Sequence, residues 1–141
     1  MSDQLTMPHA DELAEMLTTV LSGFTFPAET SVPDPAAQPF GARLVIEGDA
    51  EVGLYLEADP VAAPALAEAF FATGEPTDQD KRDAISELAN VTAGAIKTLL
   101  GGEGEWSIGI PEAEMPESFD GWIVTQAPAG SGRIHLAFKP V

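Results

Sequence analysis

Residues 83–100 read DAISELANVTAGAIKTLL. At 3.6 residues per turn, each position advances about 100° around a helix axis. On that wheel Ile85, Leu88, Ala89, Thr92, Ala95, Ile96 and Leu99 gather in one broad arc, which a helix lays against a sheet. Asp83, Glu87, Asn90, Gly94 and Lys97 gather on the opposite side, pointing outward. That outward side breaks several local rules. Asn90 is a mediocre helix former, and Gly94 in mid-helix costs about 1 kcal/mol relative to alanine. Asp83 and Glu87 are like charges four apart, and neither has a basic residue three or four positions away on the helix. Rules broken together on one face mark a working surface.

The residue types say what such a surface can do. A carboxylate without a local cation suits an ammonium or guanidinium brought by a partner. A neutral amide donates and accepts hydrogen bonds at once, so it can hold and aim one water molecule. Neither is a useful nucleophile here. Glycine at position 94 leaves room for another surface to come close beside Asn90.

The rest of the chain places this helix. Its 141 residues, 45% of them hydrophobic, suit one globular domain over residues 1–141. Upstream, Leu13, Met16, Leu17, Val20 and Leu21 recur at helical spacing, with Pro8 in the first turn and Gly23 at the end. The stretch TFPAETSVPDPAAQPFGA, residues 25–42, carries four prolines and reads as a surface excursion with a short edge strand. RLVIE and EVGLYLE, joined by Gly48-Asp49-Ala50, read as a β-hairpin. Asp59-Pro60 opens a second helix with Ala62, Leu66, Ala69 and Phe70 on its stripe, stopped by Gly74. The third helix starts at Thr77 or Asp78, where either residue can cap free N–H groups, and breaks at Gly101-Gly102. Strands are expected at 106–110, 122–126 and 133–138, the last with Ile134, Leu136 and Phe138 on one face. Helices interleaved with hairpin-style strands predict an α/β sandwich, α+β in layout, with long helices packed on a mixed or antiparallel sheet.

Composition narrows the chemistry. Six basic and 23 acidic residues give a formal charge of −17, which repels phosphate backbones and anionic lipid, so neither nucleic acid nor membrane is an expected partner. Without cysteine there is no thiolate nucleophile, disulfide or zinc–thiolate site. No basic and apolar leader precedes the first helix, and no run approaches the length needed to cross a bilayer, so a cytoplasmic protein is expected. Two histidines, His9 and His135, are too few for a metal cage, and no metal of the chain's own is expected. GGEGE lacks the lysine and following helix of a phosphate loop and reads as a turn. Trp106 and Trp122 read as core or interface anchors.

The segment Asp83-x3-Glu87-x2-Asn90, followed by Pro111, resembles the signature of the chemotaxis phosphatases of the CheX, CheC and FliY group, nearest the single-site CheX type. IEGDAEVGLYLEAD resembles that family's glycine-bearing hairpin, ELANVTAGAIKTLL its signature helix, and RIHLAFKPV its closing strand. The resemblance implies the CheC/CheX sandwich and, as substrate, the phosphorylated receiver domain of a CheY-like response regulator. It implies that Glu87 pairs with the receiver's lysine and that Asn90 orients water at the aspartyl phosphate. Asp83, Gly94 and Lys97 would line the partner-binding face. The resemblance also implies a Mg²⁺ held by the receiver, not by this chain, and a homodimer. A non-catalytic adaptor of the same fold, binding a receiver or another signalling partner, is the alternative.

Overall fold

The computed structural model describes residues 7–26, 38–100 and 105–140. The described residues form three helices and five strands, in the order α1 Ala10–Ser22, β1 Phe40–Glu47, β2 Glu51–Ala58, α2 Ala62–Phe71, α3 Asp78–Leu99, β3 Ser107–Ile108, β4 Ile123–Ala129 and β5 Gly132–Lys139. The strands form one sheet in the order β3-β1-β2-β5-β4. Every pairing is antiparallel, so of the two pairings expected from sequence only the antiparallel one occurs.

The period-two pattern of the strands decides which sheet face is buried. Ala42, Leu44 and Ile46 of β1 point the same way as Leu54, Leu56 and Ala58 of β2 and Ile134, Leu136 and Phe138 of β5. These residues are all but inaccessible, and the helices cover them. α3 lies across β1 and β2 and is flanked by α2 and α1, while α1 sits over β4. This is an α+β sandwich, with helices on one face of an antiparallel sheet, as the spacing of helices and strands predicts.

Local chemistry explains the joints. The hairpin closes with Glu47 opposite Glu51, and Gly48 N–H donates to the Ala50 carbonyl. Asp59 ties three elements together. Its Oδ1 accepts from the backbone N–H groups of Val61 and Ala62 at the start of α2, and its Oδ2 from Arg133 N–H on β5. α3 begins with a capping box: Thr77 Oγ1 accepts from Asp80 N–H at 3.1 Å, and Thr77 N–H donates back to Asp80 Oδ2 at 2.8 Å. Residues 130 and 131 turn β4 into β5, and Gly130 holds the positive φ of 63° that such a two-residue turn demands.

Four sequence expectations are corrected. Pro8 stands before α1, whose N-cap is His9, because the His9 N–H donates to Glu12 and closes the helix start one residue later. α2 stops at Phe71, three residues before Gly74. Ala72 adopts the left-handed cap conformation at φ 52°, and its N–H still reaches the Glu68 carbonyl at 2.8 Å. The strand expected at 106–110 shrinks to Ser107–Ile108, after which the chain meets β1 at isolated points: Gly109 N–H donates to the Val45 carbonyl, and Arg43 and Glu112 exchange a pair of backbone hydrogen bonds. β4 runs on past position 126 to Ala129. Pro128 is accepted there because β4 is an edge strand and needs no ladder N–H on its outer side. The proline-rich excursion falls mainly on residues 27–37, and the Gly101-Gly102 break on 101–104, both outside the described residues.

The other face of the sheet carries a smaller cluster. Tyr55 lies over Gly41 and Trp122 over Gly53, and a side chain at either glycine would meet the ring. Phe119 joins the two rings at centroid distances of 5.8 and 5.9 Å, and the Arg43 guanidinium lies 5.8 Å from the Trp122 ring. Burial, with the neighbouring Glu57 carboxylate accepting its hydrogen bond, pushes the Tyr55 phenol above its usual range. Trp106 belongs instead to the main core, against Gly48.

Candidate functional site on helix α3

The outward face of α3 is convex and rigidly backed. Leu88, Ala89, Thr92 and Ile96 on its reverse side are buried in the core. On the front, Asp83 and Glu87 are exposed, and Asn90, Gly94 and Lys97 are half-buried. Glu87 and Asn90 stand about 60° apart around the axis and about 4.5 Å apart along it, near enough to act on one bound atom. All five residues read from sequence as outward do lie on this side.

Their surroundings differ. The Gln79 amide Nε2 donates to Asp83 Oδ1 at 2.8 Å, so Asp83 is tied to its own helix. Glu87 pairs with no cation, for the one ion pair among the described residues is Lys81–Asp78 at 3.6 Å. Lys81 also lies 5.7 Å from the Phe40 ring centroid and is thereby occupied within the chain. A Cβ added at Gly94 would meet nothing within 4 Å. Internal packing therefore does not call for this glycine, and its bare surface is open to whatever comes from outside.

Sequence reasoning missed Val91, which is 43% exposed on the same side. The signal was available: positions 87, 91, 94 and 98 follow the spacing of one helical stripe, so an apolar residue stands beside the polar pair. The expected core arc shifts slightly as well. Ala84 and Ala93 are buried, whereas Ala95 and Leu99 are half-buried, since α3 packs on two neighbouring helices and not on the sheet alone.

Concave sites lie elsewhere. Four open cavities among the described residues, with volumes from about 220 to 470 Å³, include neither Glu87 nor Asn90. Among the described residues no group of three or more His, Asp or Glu could hold a metal ion, and no helix is long and apolar enough to cross a membrane. A convex carboxylate–amide pair encloses no small substrate.

The fold and this face define a class: an antiparallel α+β sandwich whose longest helix carries a carboxylate and an amide on its outward side. The model of the chemotaxis phosphatase CheX matches residues 40–138, and the chain belongs to that family. Solved structures agree in fold. CheX from Desulfovibrio desulfuricans aligns with a TM-score of 0.59 at 18% identity, covering 92% of this chain and 96% of that one. CheX of Borrelia burgdorferi, solved as a complex of CheX, CheY, BeF₃ and Mg²⁺, aligns with a TM-score of 0.59 at 13% identity, covering 94% and 99%. A CheC-like protein from Shewanella oneidensis gives 0.54 at 13% identity, covering 92% and 96%. At these identities the structures speak for the fold alone. No curated protein sequence matches this chain significantly.

Proposed function

We propose that this chain hydrolyses the aspartyl phosphate of a CheY-like response-regulator receiver domain. The observation that carries the reading is the Glu87/Asn90 pair on the exposed, convex side of α3, with Glu87 lacking a cation and Gly94 clearing the approach. Membership of the CheX family supports it, as does the Borrelia relative's complex with CheY.

In this mechanism the receiver keeps its phosphate and its Mg²⁺, and this chain adds two groups. The Glu87 carboxylate pairs with the receiver's lysine and fixes the docking register. The Asn90 amide accepts from and donates to one water and aims its oxygen at phosphorus. The new P–O bond forms as the bond to the aspartate oxygen breaks. The aspartate leaves as carboxylate, and the water's proton passes to the phosphate released. Phosphoryl transfer depends chiefly on positioning and charge stabilisation, so no nucleophile of this chain's own is required. A hundredfold acceleration needs about 2.7 kcal/mol, well within what orienting one reactant can provide. Asp83 and Lys97 border the contact. The setting is cytoplasmic, and the working species is a homodimer.

Phosphate release from the phosphorylated receiver, with and without the chain, tests the proposal. Asn90→Ala removes the acceleration, about a hundredfold, while thermal unfolding stays within experimental scatter of the parent. Equal rates for parent and variant would refute the catalytic assignment. Receiver binding with an unchanged phosphate lifetime would instead make the chain a non-catalytic adaptor.

A further inference from the structure

Between α1 and α3 runs an open groove of about 410 Å³. Half-buried Met16 and Val20 of α1 and Ala95 and Leu99 of α3 floor it, and the exposed Glu12 and Glu15 rim it on the α1 side. Thr98 forms the other lip and continues the stripe of Glu87, Val91 and Gly94. Both threonines at the groove turn their hydroxyls back to their own helices: Thr19 Oγ1 donates to the Glu15 carbonyl and Thr98 Oγ1 to the Ala95 carbonyl. The lining thus offers a newcomer apolar contact and negative charge. One Glu12 oxygen accepts from the His9 N–H, whereas Glu15 stands exposed on the rim, and both carboxylates bring negative charge to the groove.

We propose that this groove is the second docking point for the receiver domain, taking an apolar side chain flanked by a lysine or arginine, and that it selects the receiver served. The inference rests on the phosphatase reading and adds to it the chemistry of the partner's surface. Two arguments lead to it. A stable protein contact covers about 800 Å² on each partner, a patch of about 16 Å radius. Thr98 stands about 12 Å along the axis from Asn90, so a receiver seated on Asn90 overlies the groove as well. The acidic rim and the chain's charge of −17 favour a cationic occupant over an anionic one.

Steady-state phosphate release at varied concentrations of phosphorylated receiver separates the two parts. Glu15→Lys and Ala95→Leu raise KM for the receiver about tenfold and leave kcat within about twofold. Added salt raises the parent's KM more steeply than that of Glu15→Lys, which keeps only the salt dependence of the remaining acidic groups. Asn90→Ala shows the opposite split, with kcat lost and KM nearly kept. Glu15 is exposed, so its variant folds even where Ala95→Leu disturbs packing. Groove variants with the parent's KM overturn the groove and leave the phosphatase standing. If the parent releases no phosphate, the phosphatase reading fails, and titration with beryllofluoride-loaded receiver decides the groove. A Kd weakened about tenfold by Glu15→Lys supports it. An unchanged Kd, or no binding by the parent, overturns it.

Discussion

On its sheet side α3 carries Ile85, Leu88, Ala89, Thr92 and Ile96, all essentially without access to solvent, and on its outer side Asp83, Glu87, Asn90 and Gly94. The inner side follows the ordinary rules of packing, with apolar side chains interlocked at helical spacing. The outer side ignores them: like charges stand four apart, a glycine fills no tight spot, and Val91 lies bare. Under the proposed function one rod separates two tasks, with stability on one side and recognition on the other. A substitution on either side should move its own property and spare the other.

The sharpest attempt to break that separation is Leu88→Ala. It leaves a cavity in the core and lowers stability by about 2–5 kcal/mol, read by chemical denaturation, yet what remains folded keeps its turnover per molecule. Asn90→Ala is its mirror, with stability kept or raised by a few tenths of a kcal/mol and turnover gone. Gly94→Ala adds helix propensity in open space and stabilises by about 1 kcal/mol, while the new methyl crowds the docked receiver and slows phosphate release. A release rate unaffected by that methyl would mean that the partner does not approach Gly94. Smallest in effect is Thr92→Val. Thr92 Oγ1 is buried with no hydrogen-bond partner, so removing it stabilises by about 1 kcal/mol with no change in activity.

The parts of the molecule that alternate regularly could be read without coordinates. Leu13, Leu17 and Leu21 in α1, the β1–β2 hairpin and the Ile134, Leu136, Phe138 face of β5 are all buried as their spacing demands. α3 was readable twice over, since its inner and outer sides each have a chemistry of their own. Residues 109–122 were not. Ile110 is 86% exposed and Met115 54%, so apolar residues there mark no inward side and no period survives. Pairing with β1 at isolated positions leaves no pattern for a sequence to carry. The end of α2 is not legible because Ala72, an exposed residue, takes the left-handed cap conformation that local preference would give to glycine, with its N–H bonded to the Glu68 carbonyl. The groove between α1 and α3 depends on how two helices distant in sequence settle side by side, which neither helix encodes alone.

Strand order bears on how the protein is made. β2 sits in the middle of the sheet, with β1 from its own hairpin on one side and β5 on the other. During synthesis the hairpin can form as soon as it leaves the ribosome, but β2 keeps a bare row of N–H and C=O groups until residues 132–139 arrive. Newly made chains pass through a stage with an open central edge, the kind that pairs with other copies. A premature stop just before β5 would strand β4 as well and hold the product at that stage, destined for aggregation or proteolysis.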